Sequence, residues 1–178
     1  MNHADIHGRV LSIHLTTRGL GFVFMDAPLS PINWGTREVR GRHKNAQCLA
    51  KVAALLEAHQ PDVLVLEDPE GRGSRRAARI QRLSQSVTTL AQDQAVSLCR
   101  FSRRDVKRCF ERFGAHTRFE IAMAIAKRIL AYERFLPPPR KIWMSDDPRM
   151  SIFDAASLAM TFYCQPGPIA NQPGEMAA

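Results

Sequence analysis

The stretch Pro61-Asp62-Val63-Leu64-Val65-Leu66-Glu67 carries the strongest fold signal in the sequence. The four residues at 63–66 are all aliphatic, and no polar residue alternates with them. Such a run is typical of a strand that is buried on both faces, which places it inside a sheet and parallel to a neighbour. The sequence therefore predicts an α/β domain in which Glu67 ends a central strand.

Three short segments upstream of this run have the composition of strands. They cover residues 9–15, 20–26 and 32–39, they are rich in Val, Ile, Leu and Phe, and turn residues separate them. Short strands joined by tight turns favour antiparallel neighbours. Apolar residues then recur at helical spacing over 45–59, which predicts a helix before the aliphatic run.

Downstream of the aliphatic run, helices outnumber strands. Ser102 with Asp105 indicates a helix start, Thr117-x-x-Glu120 is a capping box, and Asp147-Pro148 is typical of an N-cap followed by proline. The predicted elements, in chain order, are a helix over 74–94, a strand over 96–101, and helices over 102–114, 119–135 and 147–163.

Together these elements predict one mixed five-stranded sheet, with three antiparallel strands followed by parallel strands, flanked by helices. A chain of 178 residues is long enough for one compact domain with a core. We expect that domain to span residues 9–163, between a short N-terminal extension at 1–8 and a flexible C-terminal tail at 164–178.

Positive charge is concentrated in one part of the chain. The formal net charge is +8, and the segment from Leu98 to Ser145 holds twelve Lys and Arg against four Asp and Glu. A second group of arginines follows the central strand, between Arg72 and Arg82. Concentrated positive charge favours a polyanionic partner through phosphate contacts, with a solvated basic surface as the alternative.

Other composition features narrow the class of protein. The four cysteines are scattered and none belongs to a C-x-x-C pair, which is neither a disulfide framework nor a zinc signature. No apolar run approaches the roughly 20 residues that span a bilayer, and no apolar signal segment follows the N-terminus. We therefore expect a cytoplasmic protein without a membrane partner.

Two acidic residues stand out by position. Glu67 ends the most apolar strand, where open α/β sheets place their sites, and Asp154 interrupts the apolar helix at 152–160. A carboxylate on a packing helix is costly unless it is paired, hydrogen-bonded or bound to a metal. Two-metal cleavage of phosphodiesters needs clustered carboxylates, so the pair is a candidate site. The alternatives are a surface loop residue and a solvent-facing helix position.

Four segments resemble the RuvC-type Holliday-junction resolvases and related RNase H-like nucleases. Residues 10–22 resemble their first hairpin, 61–67 their central strand with its catalytic Glu, 102–107 the start of a basic helix, and 153–159 their last helix with its Asp. The resemblance spans residues 9 to 163 and implies an RNase H-like (RuvC-type) fold. It further implies a homodimer, nucleic acid as the partner (DNA in the first place) and Mg²⁺ or Mn²⁺ at the acidic site.

The sequence also departs from this family. His14 stands where the family has its first-strand Asp, and Ser151 stands where many members have a second acid on the last helix. The implied catalytic and metal-binding set is therefore Glu67 and Asp154, with His14 completing it. Asp147 precedes Asp154 by seven residues, about 10.5 Å along a helix, which is too far for both to hold one metal directly.

The residues expected to contact nucleic acid are basic and lie in two groups. In the family, the loop after the catalytic Glu carries an aromatic or apolar wedge, whereas here residues 68–76 contain glycine and arginine and no aromatic ring. We expect phosphate contacts rather than base stacking from this loop. The candidates are Arg72, Arg75, Arg76, Arg103, Arg104, Lys107 and Arg108.

Three functions are consistent with these features. The leading hypothesis is a metal-dependent endonuclease that acts on branched or structured DNA. The second is a catalytically inactive nucleic-acid-binding or assembly module on the same fold. The third, a phosphotransferase on an RNase H-like scaffold, is weaker because the Gly-rich phosphate loops and the second lobe of those enzymes are missing.

Overall fold

The computed structural model describes residues 8–68 and 78–165. The strands are β1 Val10–Thr16, β2 Gly19–Ala27, β3 Ser30–Glu38, β4 Val63–Glu67 and β5 Ser97–Phe101. The helices are α1 Lys44–His59, α2 Ala78–Asp93, α3 Arg103–Glu111, α4 Arg118–Arg128 and α5 Met150–Cys164, with a 3₁₀ helix at Leu130–Phe135.

The five strands form one mixed sheet in the order β3-β2-β1-β4-β5. β1 pairs antiparallel with β2, and β2 with β3, whereas β4 pairs parallel with both β1 and β5. The predicted sheet, three antiparallel strands followed by parallel ones, is confirmed. The aliphatic run at 63–66 lies inside the sheet, where Leu64, Val65 and Leu66 are buried.

Helices cover both faces of the sheet, and the alternation of side chains along the strands divides the core accordingly. Leu11 and Ile13 of β1 belong to the core with residues of α1 and α2. Val10 of β1 and Val65 of β4 belong to the core with residues of α3, α4, α5 and the 3₁₀ helix. Helix α5 packs directly against β1 and β2, next to the carboxyl end of β4.

Three predicted helices differ from the structure. The helix predicted over 102–114 ends at Glu111, and residues 112–114 form a turn. The helix predicted over 119–135 ends at Arg128, because Ile129 leaves the helical region (φ −118°, ψ 90°) and the chain continues as the 3₁₀ helix. The helix predicted from Asp147 begins at Met150. The Asp147 carboxylate accepts a hydrogen bond from the Arg149 amide, and the Ser151 amide donates to the Pro148 carbonyl, so these residues form a turn before α5.

Part of the predicted organisation lies outside the described residues. This holds for the N-terminal extension at 1–7, the first four residues of the helix predicted from Ser74, and the tail beyond Gln165. Within the described residues, no helix is long and apolar enough to cross a membrane.

Candidate functional site

The register of two parallel strands places His14 beside Glu67. Ile13 of β1 pairs with Leu66 of β4, so the next residue of each strand reaches the same carboxyl-terminal edge of the sheet. The Nδ1 atom of His14 lies 3.2 Å from the Oε2 atom of Glu67, and the two side chains are only 10% and 7% exposed.

Helix α5 brings Asp154 to the same place. The Ser12 hydroxyl, two residues before His14 on the same face of β1, donates a buried hydrogen bond of 2.6 Å to the Ala155 carbonyl. This bond fixes the position of α5 along β1. The Nε2 atom of His14 consequently lies 3.4 Å from the Oδ2 atom of Asp154. The three residues of the predicted site meet, with the imidazole between the two carboxylates.

Two arginines complete the surroundings of these carboxylates. The Arg103 Nε donates to Glu67 Oε1 at 3.1 Å. The Arg118 guanidinium donates to both oxygens of Asp154, at 2.9 Å from Nε and 2.5 Å from Nη2, and its Nη1 donates to Asp146 at 2.6 Å. We call this set the ion-pair cluster, and its members in spatial order are Arg103, Glu67, His14, Asp154, Arg118 and Asp146.

Capping boxes place both arginines. Ser102 caps α3 together with Asp105, and Thr117 caps α4 together with Glu120, so each arginine is the first residue of its helix. The pKa of Asp105 is lowered by the hydrogen bond from the Ser102 side chain, and that of Glu120 by the backbone N–H groups of His116 and Thr117. The carboxylates of Asp105 and Glu120 therefore stay ionised at neutral pH.

A cation at the first position of a helix is opposed by the positive end of the helix dipole. The carboxylates of the cluster offset that cost. Burial of the Arg118 guanidinium lowers its pKa, but its hydrogen bonds and charge interactions with Asp154 and then Asp146 outweigh burial, and the pKa is raised. Arg118 is therefore a fixed positive charge next to Asp154 at any pH at which the protein is folded.

The position of His14 sets the hydrogen bonding at the centre of the cluster. Both ring nitrogens face a carboxylate oxygen. A neutral imidazole has one N–H and donates to only one of them, whereas an imidazolium donates to both. The ring thus lies between two carboxylates, each of which is also paired with an arginine.

All members of the cluster except Asp146 line an open cleft of about 670 Å³. Four Arg and Lys side chains line it, namely Arg103, Arg104, Lys107 and Arg118. Three of these belong to the predicted nucleic-acid-binding set. Arg108, a fourth member of that set, is exposed on α3 outside the cleft lining. Arg72, Arg75 and Arg76 lie outside the described residues.

Solved structures with the same architecture include Holliday-junction resolvases. Thermus thermophilus RuvC in complex with a Holliday junction superposes with a TM-score of 0.65 at 16% identity, over 89% of this chain and 94% of that one. The chain has a RuvC-like fold. A second Thermus thermophilus RuvC structure gives a TM-score of 0.62 at 17% identity, covering 88% and 93% of the two chains.

The yeast mitochondrial Holliday-junction resolvase Ydc2 has the same RuvC-like fold, with a TM-score of 0.61 at 14% identity over 89% of this chain and 78% of that one. No protein-family model matches the sequence, and no curated protein matches it. Similarity at these identities establishes the RuvC-like fold alone.

The RuvC-like fold raises the question of whether these residues fit a pair of divalent metal ions. Each carboxylate of the predicted set already accepts from an arginine and faces His14. Three carboxylates in the ion-pair cluster are matched by two guanidiniums and an imidazole, so at most one negative charge is unbalanced. Mg²⁺ and Mn²⁺ are held by hard, anionic oxygen ligands.

The residues therefore do not fit a two-metal centre in this arrangement. Within residues 8–68 and 78–165, no group of three or more His, Cys, Asp or Glu has the arrangement of a metal site. Arg103 and Arg118 supply positive charge beside Glu67 and Asp154, where metal ions would otherwise supply it.

Sequence reasoning missed two members of the ion-pair cluster, Arg118 and Asp146. A signal for Arg118 was present, because an arginine directly after the N-cap of a capping box is electrostatically unfavourable and calls for an anionic partner. Asp146 gave no such signal, since it lies in an irregular segment. Its neighbour Asp147, which the sequence places too far from Asp154 to share a metal, pairs with Arg149 at 2.7 Å, and the hydrogen bond lowers the pKa of Asp147.

Ser151, which stands where an acid was expected, has a structural role. It is buried in the first turn of α5, and its hydroxyl donates to the Pro148 carbonyl at 2.6 Å. Its backbone lies against Gly21 of β2, where a β-carbon would approach the Ser151 carbonyl oxygen to 2.3 Å. Gly21 is the register partner of His14, so this close packing also supports the site.

Proposed function

We propose that this chain binds nucleic acid, DNA in the first place, in the cleft above the ion-pair cluster, and that it does so without a divalent metal and without cleaving the strand. One observation carries the proposal: the carboxylates expected to hold metal ions, Glu67 and Asp154, are paired with Arg103 and Arg118 and both face His14. The proposal corresponds to a catalytically inactive module on a resolvase-type fold.

The cleft has the charge that a phosphate backbone requires. Arg104 and Lys107 lie on successive turns of α3 and are exposed along the cleft. Arg118 is held by two carboxylates and still exposes 42% of its side chain. Side chains of this kind contact phosphates and release counterions, which accounts for affinity without sequence specificity.

A metal-dependent endonuclease is the second candidate, favoured by the convergence of Glu67 and Asp154 at the base of one cleft. It requires the arginines and His14 to withdraw so that Mg²⁺ or Mn²⁺ can take their place. Glu67→Gln would then abolish cleavage and leave DNA binding nearly intact. The similarity to Holliday-junction resolvases favours a branched substrate, and a homodimer would place two such sites about a two-fold axis.

The experiment that tests the proposal is a binding titration with fluorescent four-way junction, duplex and single-stranded DNA, in EDTA and in Mg²⁺. We expect the same affinity in both buffers. The double variant Arg104→Ala/Lys107→Ala should weaken binding at least tenfold, because two phosphate contacts are lost. Arg82→Ala is the matched control, since Arg82 is exposed on α2, on the other face of the sheet.

Equal affinity of the double variant and the control would overturn the location of the binding surface. Binding that is lost in EDTA and restored by Mg²⁺ would overturn the metal-independent proposal and favour the endonuclease.

A further inference from the structure

An apolar turn is exposed between the 3₁₀ helix and α5. Its tip is Ile142 and Trp143, which are 95% and 79% exposed, followed by the partly exposed Met144. Scattered exposed apolar residues are ordinary, but three in sequence, one of them Trp, indicate a surface that contacts a partner.

Hydrogen bonds fix the shape of this turn. The Met144 amide donates to the Lys141 carbonyl at 3.0 Å, which closes a four-residue turn with Ile142 and Trp143 at its two central positions. The Arg140 Nε donates to the Met144 carbonyl at 2.6 Å. The backbone thus holds Trp143 at the tip, and less conformational entropy remains to be lost on binding.

The turn carries positive charge next to the indole. Lys141 Nζ lies 5.4 Å from the centre of the Trp143 ring, and Arg140 precedes it. The two acids that follow are both paired, Asp146 with Arg118 and Asp147 with Arg149. Their charge is therefore offset, and the turn presents an aromatic face beside two cations.

The turn is also tethered to the ion-pair cluster. Asp146, bound to Arg118, comes three residues after Trp143. Three residues of chain span at most about 11 Å, so the Trp143 Cα lies within that distance of the Asp146 Cα. The turn is therefore close in the chain to the residue that binds Arg118, which lines the cleft.

We propose that Trp143 stacks on an unpaired base of the nucleic acid bound in the cleft, while Arg140 and Lys141 contact the adjacent phosphates. An aromatic ring combined with cations is the arrangement by which proteins hold single-stranded nucleic acid. The inference rests on the proposed function. It supplies the base-stacking group that residues 68–76 lack, from a different loop.

Tryptophan fluorescence tests the proposal directly. The chain has two Trp residues, and Trp34 packs edge-on against Tyr132 and Phe135, so a Trp34→Phe background leaves Trp143 as the only reporter. We expect a single-stranded oligonucleotide, and a duplex with an unpaired base, to quench its fluorescence, whereas a fully paired blunt duplex binds without quenching.

Affinity measurements on Trp143 variants complete the test. In the otherwise native chain, Trp143→Ala should weaken single-strand binding about tenfold, as is typical for loss of one stacked base, and change duplex binding less than twofold. Trp143→Phe should retain most of the affinity. Because Trp143 is exposed, all variants should give the circular dichroism spectrum of the parent.

Different results would contradict the stacking role of Trp143 and the proposed binding of nucleic acid. An unchanged single-strand affinity in Trp143→Ala, with strong binding in the parent, would overturn the stacking role and leave the proposed function standing. Absence of binding to any nucleic acid by the parent would overturn the proposed function itself. A parent dimer that Trp143→Ala converts to a monomer in sedimentation would assign the turn to contact between copies, and so overturn the proposal.

Discussion

His14 alters the site more than a single substitution usually does. An Asp at this strand end would add a third carboxylate beside Glu67 and Asp154 and leave three negative charges for a metal to neutralise. The imidazole instead lies between the two carboxylates at hydrogen-bonding distances. Hydrogen bonds are electrostatically stronger in a site that is largely screened from water.

Removal of Arg118 should show how much its positive charge stabilises the ion-pair cluster. Arg118→Ala leaves Asp154 and Asp146 without their guanidinium, and we expect a loss of about 1–3 kcal/mol, less than for a fully buried pair because the arginine is partly exposed. The variant should also gain affinity for Mn²⁺. Thermal unfolding with and without Mn²⁺ measures both effects. Arg104→Ala is the control, because it leaves the ion pair between Arg118 and Asp154 in place.

An Arg118→Ala variant with the stability of the parent and no added response to Mn²⁺ would show that the guanidinium does not take the place of a metal.

Cys164 provides a second test at this scale. A hydrogen bond from Cys109, and then the charge of Arg112, lower the pKa of the Cys164 thiol to about 7 against the effect of burial. Burial raises the pKa of Cys48 and Cys99. The thiolate is the reactive form, so Cys164 alkylation should rise with pH through a midpoint near 7 while the other two react slowly. Iodoacetamide labelling followed by mass spectrometry measures this.

In Arg112→Ala the midpoint for Cys164 should move to higher pH, because the guanidinium that donates to its Sγ at 2.6 Å is gone. Equal reactivity of Cys164 and Cys48 at pH 7 would contradict the assignment.

At the scale of helices and strands, local patterns predicted most of the architecture. The aliphatic run at 63–66 indicated a buried strand, and the two capping boxes indicated the starts of α3 and α4, because both signals depend on residues close in sequence. The last residue of the helix predicted over 119–135 and the first residue of α5 were less well predicted. The non-helical backbone at Ile129 and the turn at Asp147 depend on tertiary packing.

The residues of the site could likewise be predicted only where their signal is local in sequence. Glu67 and Asp154 could be found because each interrupts or ends an apolar element. The contact of Arg118 with Asp146 could not, because the two residues are 28 positions apart and an irregular segment joins their elements. The hydrogen bond between the free thiols of Cys109 and Cys164 could not be predicted either, because the two residues lie far apart in sequence, on α3 and α5.

Gly21→Ala tests how closely α5 must approach the sheet. The added methyl group would lie 2.3 Å from the Ser151 carbonyl oxygen and 2.4 Å from its carbon, both backbone atoms that cannot rotate away. We expect α5 to shift outward and stability to fall by about 1–3 kcal/mol, the range for overpacking. Denaturant unfolding gives the value. Wild-type stability in this variant would mean that α5 and β2 are not in such close contact.

At the scale of the whole molecule, the distribution of charge matters more than its total. The net charge is +8, and the segment from Leu98 to Ser145 contains α3 and α4, whose first residues face the cleft. The cations that line the cleft can attract phosphates. Glu67 and Asp154 repel those phosphates less because each carboxylate is paired with an arginine.

Salt dependence quantifies this arrangement. The logarithm of the duplex binding constant should fall linearly with the logarithm of salt concentration, with a slope of about −0.9 per phosphate contact. Arg104→Ala/Lys107→Ala should therefore make the slope shallower by about 1.8, and Arg82→Ala should leave it unchanged. A slope that is the same in all three proteins would show that nucleic acid binds elsewhere on the molecule.

Our central proposal is that Arg103 and Arg118 take the place of metal ions at Glu67 and Asp154. Its most direct test is incubation of a labelled four-way junction with the parent chain and with Glu67→Gln, in Mg²⁺ and in Mn²⁺, with binding and cleavage followed in the same samples. Under this proposal, both proteins bind the junction and neither metal produces cleavage. Metal-dependent cleavage by the parent that Glu67→Gln abolishes would contradict it.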